Sequence, residues 1–211
     1  YGSSTISNSY STRSLSNCHS AIGGLVGING GSSSVSNSYS TGSVSGNFAV
    51  GGLVGENSTG DVINCYSTGN VTGTVDNHFG GFVGYNMNYS DVTNCYSTGN
   101  VSNGGGIVIT GGASPSISNL LIEDNSSGEK GGGIFINNYS NPKLVYVAVV
   151  ENSASTFGGG GIYIGDNSAS SLNHVKILSN NTNGSHGGGG IYITNSSPTL
   201  DDVQIAYNIS T

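Results

Sequence analysis

The sequence predicts an all-β chain, folded as a single right-handed parallel β-helix of about 7.5 coils with 27–30 residues in each. Three observations carry this. The octapeptide NCYSTGNV stands at Asn64–Val71 and again, unchanged, at Asn94–Val101, with looser copies at Asn37–Val44 and Asn8–Leu15. Glycine-led runs keep the same interval along the whole chain. Apolar and polar residues alternate over short stretches such as His174–Leu178 (HVKIL) and Asp202–Ala206 (DVQIA), and no stretch has the 3.6-residue helical period. A period near 28 punctuated by Gly and Asn is the mark of a solenoid, and the two-residue alternation selects strands over helices.

Each coil opens with a short apolar strand, at Ile6, Val35, Val62, Val92, Ile117, Leu144, Leu172 and Leu200, in steps of 29, 27, 30, 25, 27, 28 and 28 residues. A second strand follows a Gly pair: GGLVG at Gly23–Gly27 and Gly51–Gly55, then GGFVG at Gly80–Gly84. From Gly104 the run becomes GGGIVI, then GGGIFI from Gly131 and GGGGIYI from Gly158 and Gly187, which sets Ile107, Ile134, Ile162 and Ile191 in phase. Within HVKIL, Val175 and Ile177 face one way and Lys176 the other. The beat survives the change of motif at Val101–Gly106, so residues 1–211 read as one continuous solenoid. At ~4.8 Å per coil the rod is roughly 36 Å long.

In such a solenoid each residue stacks on its equivalent one coil away, and identical side chains form ladders. This explains the repeated octapeptide. Asn8, Asn37, Asn64 and Asn94 are expected to form an Asn ladder, and Tyr10, Tyr39, Tyr66 and Tyr96 an aromatic one. Asn125, Asn152, Asn180 and Asn208 are expected to form a second Asn ladder at a corner.

Composition restricts the partners. Net charge is −7, and the four basic residues Arg13, Lys130, Lys143 and Lys176 are scattered, which argues against nucleic acid and anionic membrane surfaces. No apolar run reaches the length of a membrane span. Of three Cys, Cys65 and Cys95 share a repeat position where earlier coils carry Ser9 and Ser38, so small size is expected to matter there more than sulfur chemistry. The chain opens at Tyr1 and neither end carries an amphipathic cap, so it is expected to continue or to self-associate through its ends.

The segments GGLVGINGG, GGLVGENST and GGFVGYNMN, completed by NCYSTGNV, resemble the GLUG repeat over roughly Tyr1–Val101. Residues 1–103 thus read as GLUG-type coils and 104–211 as GGGI-type coils. The latter, with VVENSASTFGGGGIYI and ILSNNTNGSHGGGGIYI, resemble the right-handed β-helix repeats of pectate-lyase-like folds and autotransporter-type passenger domains. The resemblance implies a β-helix in an extracellular, often adhesin-like setting. It implies no particular chemistry.

Enzymatic polysaccharide breakdown needs converging carboxylates. The adjacent pair Asp201–Asp202 is expected to point to opposite faces of its strand, and His19, His78, His174 and His186 occupy different repeat positions. No cofactor is expected. Asp61 and Asp91 share a repeat position and are a weak Ca²⁺ candidate, otherwise two hydrated carboxylates. Thr12, Thr41, Thr68 and Thr98 form one Thr column, where an ice-binding face wants two. Phe135, Tyr163 and Tyr192 are expected to point outward on three successive coils, as a platform for sugar rings or a lateral contact. The reading is a structural or adhesive extracellular solenoid, a segment of a larger surface protein or of a fibre assembled end to end. The alternatives are a polysaccharide-binding or polysaccharide-degrading β-helix and an ice-binding rod.

Overall fold

The computed structural model describes residues 2–73, 78–102, 104–185 and 187–211, with the backbone alone at Asn17 and Cys18. The described residues contain no helix, and their strands pair in parallel, each with its counterpart one coil away. The chain winds as a parallel β-solenoid of about seven turns.

Three faces form each coil. The first is a 12-stranded sheet that begins at Thr5–Ser7 and ends at Thr199–Ala206. Its register places Ile6 on Val35, Val35 on Val62, Val62 on Val92, Val92 on Ile117, Ile117 on Leu144, Leu144 on Leu172 and Leu172 on Leu200. The third face is a nine-stranded sheet in which Val26, Val54, Val83, Ile107, Ile134, Ile162 and Ile191 stack in the same way. Between these two lies a narrow face. It begins as the strands Leu15–Cys18, Val44–Gly46 and Val71–Gly73 and continues as Ser126–Ser127, Ser153–Ala154, Asn181–Thr182 and Ile209–Ser210.

The change of motif does not interrupt the pairing. Tyr96 pairs with Leu121 and Val83 with Ile107, while the Val101 N–H donates to the Ser126 carbonyl across the two parts of the narrow face.

Inward residues fill the tube. Val35, Val62, Val92, Ile117, Leu144 and Leu172 are fully buried on the first face, and Val54, Val83, Ile107, Ile134 and Ile162 are fully buried on the third. A satellite cluster of Ile22, Val44, Val50, Val71, Phe79 and Val101 fills the corner toward the narrow face. The Gly pairs follow from this closeness. A side chain at Gly23, Gly51 or Gly80 would run into the carbonyl of the Val three residues on, so the turn into the third face admits only glycine.

Candidate functional site

The most regular outward surface is the ladder side of the first face. Asn8, Asn37, Asn64 and Asn94 sit where the strand bends, with φ between 48° and 54°. Asn tolerates this left-handed conformation better than most residues, which gives a local reason for it at the bend. Their side chains are exposed and chained: the Asn94 amide donates to Asn64 Oδ1 and the Asn64 amide to Asn37 Oδ1, both at 3.1 Å. Two residues on stand the tyrosines. Ring centroids are 5.2 Å apart for Tyr10–Tyr39, 4.7 Å for Tyr39–Tyr66 and 4.7 Å for Tyr66–Tyr96, with planes within 9° of parallel.

Beyond them run Thr12, Thr41, Thr68 and Thr98. That column does not persist. Thr98 pairs with Glu123, and the same position then carries Val150, Leu178 and Ala206.

The bend itself does persist, which the repeat spacing alone did not reveal. Asn119, Tyr146, His174 and Asp202 occupy it in the later coils, with φ between 50° and 54°. A positive-φ residue breaks strand alternation. Asp201 and Asp202 are therefore both exposed instead of lying on opposite faces. Asp202 meets His174 one coil below, Oδ2 to Nε2 at 3.2 Å, and Asp201 accepts a hydrogen bond from Asn173 at 2.7 Å. The Tyr146 ring lies 4.7 Å from the His174 ring. So His174 does have a carboxylate partner, which the one-dimensional spacing had hidden. His19 is exposed, His78 is packed against aromatic rings, and His186 lies outside the described residues.

Asn125, Asn152 and Asn180 are buried, and with the partly buried Asn208 they form an internal ladder. Each side-chain amide donates to the next Oδ1, at 2.9 Å, 3.0 Å and 2.9 Å. The same Oδ1 also accepts the backbone N–H of the residue below, at 3.0 Å, 2.9 Å and 2.8 Å. A third ladder escaped the sequence reading. Asn29 donates to Asn57 at 2.9 Å and Asn57 to Asn86 at 2.8 Å, all buried. Its signal was present as the Asn that ends each GGLVGxN or GGFVGxN run. It stops where Asn86 meets Ile109.

Between bend and tyrosine lies a column of small residues: Ser9, Ser38, Cys65 and Cys95. Cys65 and Cys95 are buried free thiols, and the Cys65 N–H points at Cys95 Sγ at 3.4 Å. The contact with Cys65, and then burial, push the Cys95 thiol far above its ordinary pKa.

Of the second-half aromatics, Phe135 and Tyr192 are partly exposed, and Tyr163 differs from expectation. Phe135, Tyr163 and Tyr192 do stack on successive coils, with centroids 5.3 Å and 5.6 Å apart and planes 20° and 14° from parallel. Yet Tyr163 is only 5% exposed. Lys130 reaches over it, with Nζ 5.1 Å from the Tyr163 ring and 4.8 Å from Phe157. Burial raises the Tyr163 phenol above its usual range, assisted by Asp166. Residues from neighbouring loops cover what alternation alone would have left open.

Asp61 and Asp91 occupy equivalent exposed positions, and Asp91 accepts the Ser116 N–H at 3.2 Å. Among the described residues no three His, Cys, Asp or Glu side chains converge as metal ligands, and no helix is long and apolar enough to cross a membrane.

No curated protein and no solved structure gives a significant match to this chain. Residues 19–45, 46–72 and 76–102 each match the GLUG motif, so the first half of the solenoid carries three tandem GLUG repeats.

Proposed function

We propose that the chain is a structural and adhesive rod, a segment of an extracellular surface protein or of a fibre built by end-to-end stacking of such coils. The observation that carries this is the in-register ladder surface. Four coils present the same Asn and Tyr, and each side chain has its own copy as neighbour. Side chains so engaged serve stiffness and a regular exterior; catalysis instead calls for unlike groups converging on one bond. Parallel stacking is also open-ended, because every coil offers its backbone N–H and C=O groups to the next.

Polysaccharide recognition by ring stacking is the weaker reading. In both aromatic columns the rings lie against one another, so the faces of the inner rings are occupied and only their edges look outward. The ice-binding reading is weaker still, since the Thr column gives way to Glu123, Val150, Leu178 and Ala206.

The test combines location and adhesion. Surface proteolysis of intact source cells should release fragments of this chain, and beads coated with it should adhere to cells or matrix. A variant with Tyr39 and Tyr66 changed to Ser should fold and lose adhesion. Cleavage only after cell lysis would refute the surface placement, and undiminished adhesion would refute the role of the ladder surface. New reducing ends from pectin, alginate or neutral glycans would install the enzymatic alternative.

A further inference from the structure

We propose that Cys65 and Cys95 form an oxidation site, closing to a disulfide that runs along the rod axis and staples two successive coils. The argument begins with what serine does in the same column. Ser9 donates to the Ser7 carbonyl at 2.9 Å and Ser38 to the Ser36 carbonyl at 2.7 Å. Cys65 and Cys95 make the same bond to Ile63 and Thr93, at 3.2 Å each. The Ser9 N–H donates to Ser38 Oγ at 3.1 Å, as the Cys65 N–H does to Cys95 Sγ at 3.4 Å. Serine thus makes both of the short hydrogen bonds of the position, to which the sulfurs add apolar contact with the core and longer contacts to the Val35 and Val62 carbonyls, 3.6 Å each. Sulfur alone also brings oxidation chemistry, and it appears on two adjacent coils.

The geometry suits closure. Val62 pairs with Val92 and Tyr66 with Tyr96, so Cys65 and Cys95 lie one strand spacing apart, ~4.8 Å, within the Cα separation of roughly 4.4–6.8 Å that disulfides span. Closure removes two S–H donors, and the two carbonyls they reach at 3.2 Å keep another donor. The Ile63 carbonyl still accepts the Asn37 N–H, and the Thr93 carbonyl the Asn64 N–H, both at 3.0 Å.

The chemistry balances by exchange with a low-molecular-weight disulfide. One Cys thiolate attacks it and expels one small thiol. The second Cys thiolate then attacks the mixed disulfide and expels the other. The protein loses two hydrogens, and the small disulfide leaves as two thiols. Both sulfurs are buried, so exchange proceeds as the coils assemble or open.

The experiment uses the full chain carrying Cys18→Ser, which leaves these two thiols alone, refolded with oxidised or reduced glutathione. Oxidation should abolish both thiols titratable in denaturant, lower the intact mass by two hydrogens and raise the melting temperature by roughly 5–10 °C. Adding Cys65→Ser and Cys95→Ser should give a folded rod without any redox-dependent shift, since Ser already serves this column at Ser9 and Ser38. Two titratable thiols in the oxidised, folded protein would overturn the proposal. So would two glutathione adducts in place of a bridge.

Discussion

The Asn152 side-chain amide donates to Asn180 Oδ1 at 3.0 Å, and neither residue is reached by solvent. Asn152 also donates to the carbonyls of Ile122 and Val150 and accepts both the side-chain amide and the backbone N–H of Asn125. It therefore links three coils at once.

Removing that node strands several buried groups. Asn152→Ala takes the acceptor from the buried Asn125 N–H and a donor from the Ile122 and Val150 carbonyls, at about 1–3 kcal/mol per unmet group. Asn180 Oδ1 keeps the residue-152 backbone N–H. A loss of about 2–5 kcal/mol is expected by denaturant titration. Asn64→Ala, on the exposed ladder, gives up one solvent-screened bond at each side and takes a left-handed φ, for about 1–2 kcal/mol. Equal losses at the two sites would show that burial does not separate the ladders.

How much of this was legible beforehand follows from the kind of information each feature carries. The strand beat from Ile6 to Leu200 was legible because apolar identity at a fixed period is a one-dimensional signal, and the register confirms each step. The left-handed bend was not. Asn119, Tyr146, His174 and Asp202 share a backbone conformation but no side-chain chemistry, so no motif marks them. For the same reason the His174–Asp202 contact surfaced only once the coils were stacked. The cover over Tyr163 includes Lys130, which belongs to a loop whose path no periodicity encodes.

The tyrosine ladder should show position-dependent energetics. Tyr66 is stacked on both sides, whereas Tyr10 stacks on Tyr39 and is 65% exposed. At ~0.5–1.5 kcal/mol per stacked pair, Tyr66→Ser is expected to cost about 1–3 kcal/mol and Tyr10→Ser about half as much. Chemical denaturation of the two variants side by side checks the ratio. A larger loss at Tyr10 would contradict ladder cooperativity.

Gly51→Ala tests the coil turn. The added methyl meets the Val54 carbonyl, a backbone atom that cannot step aside as a flexible side chain would. The third face must shift locally, and a loss of about 2–4 kcal/mol with increased proteolysis near Gly51 is expected. Gly2→Ala is the control, because nothing lies near the added atom. It should leave the melting temperature unchanged.

The remaining prediction concerns acid. His78 lies between Phe48, whose ring is 5.2 Å away edge-on, and Tyr85, stacked at 4.2 Å, and its Nδ1 is buried with no hydrogen-bond partner among the described residues. Burial disfavours the imidazolium and lowers the His78 pKa below its ordinary 6.5. The unfolded chain therefore takes up a proton at a higher pH than the folded rod does. Stability from this group is fully present above about pH 6.5 and is lost as pH falls from there through the lowered folded value. Melting temperatures measured between pH 7.5 and pH 5 should decline toward acid. His78→Ala is an allowed replacement at that bend, since Ala21 and Ala49 adopt the same positive φ. It gives up ring packing and so lowers the melting temperature at every pH, yet it should flatten the acid slope. An unchanged slope would mean that His78 does not govern the acid response.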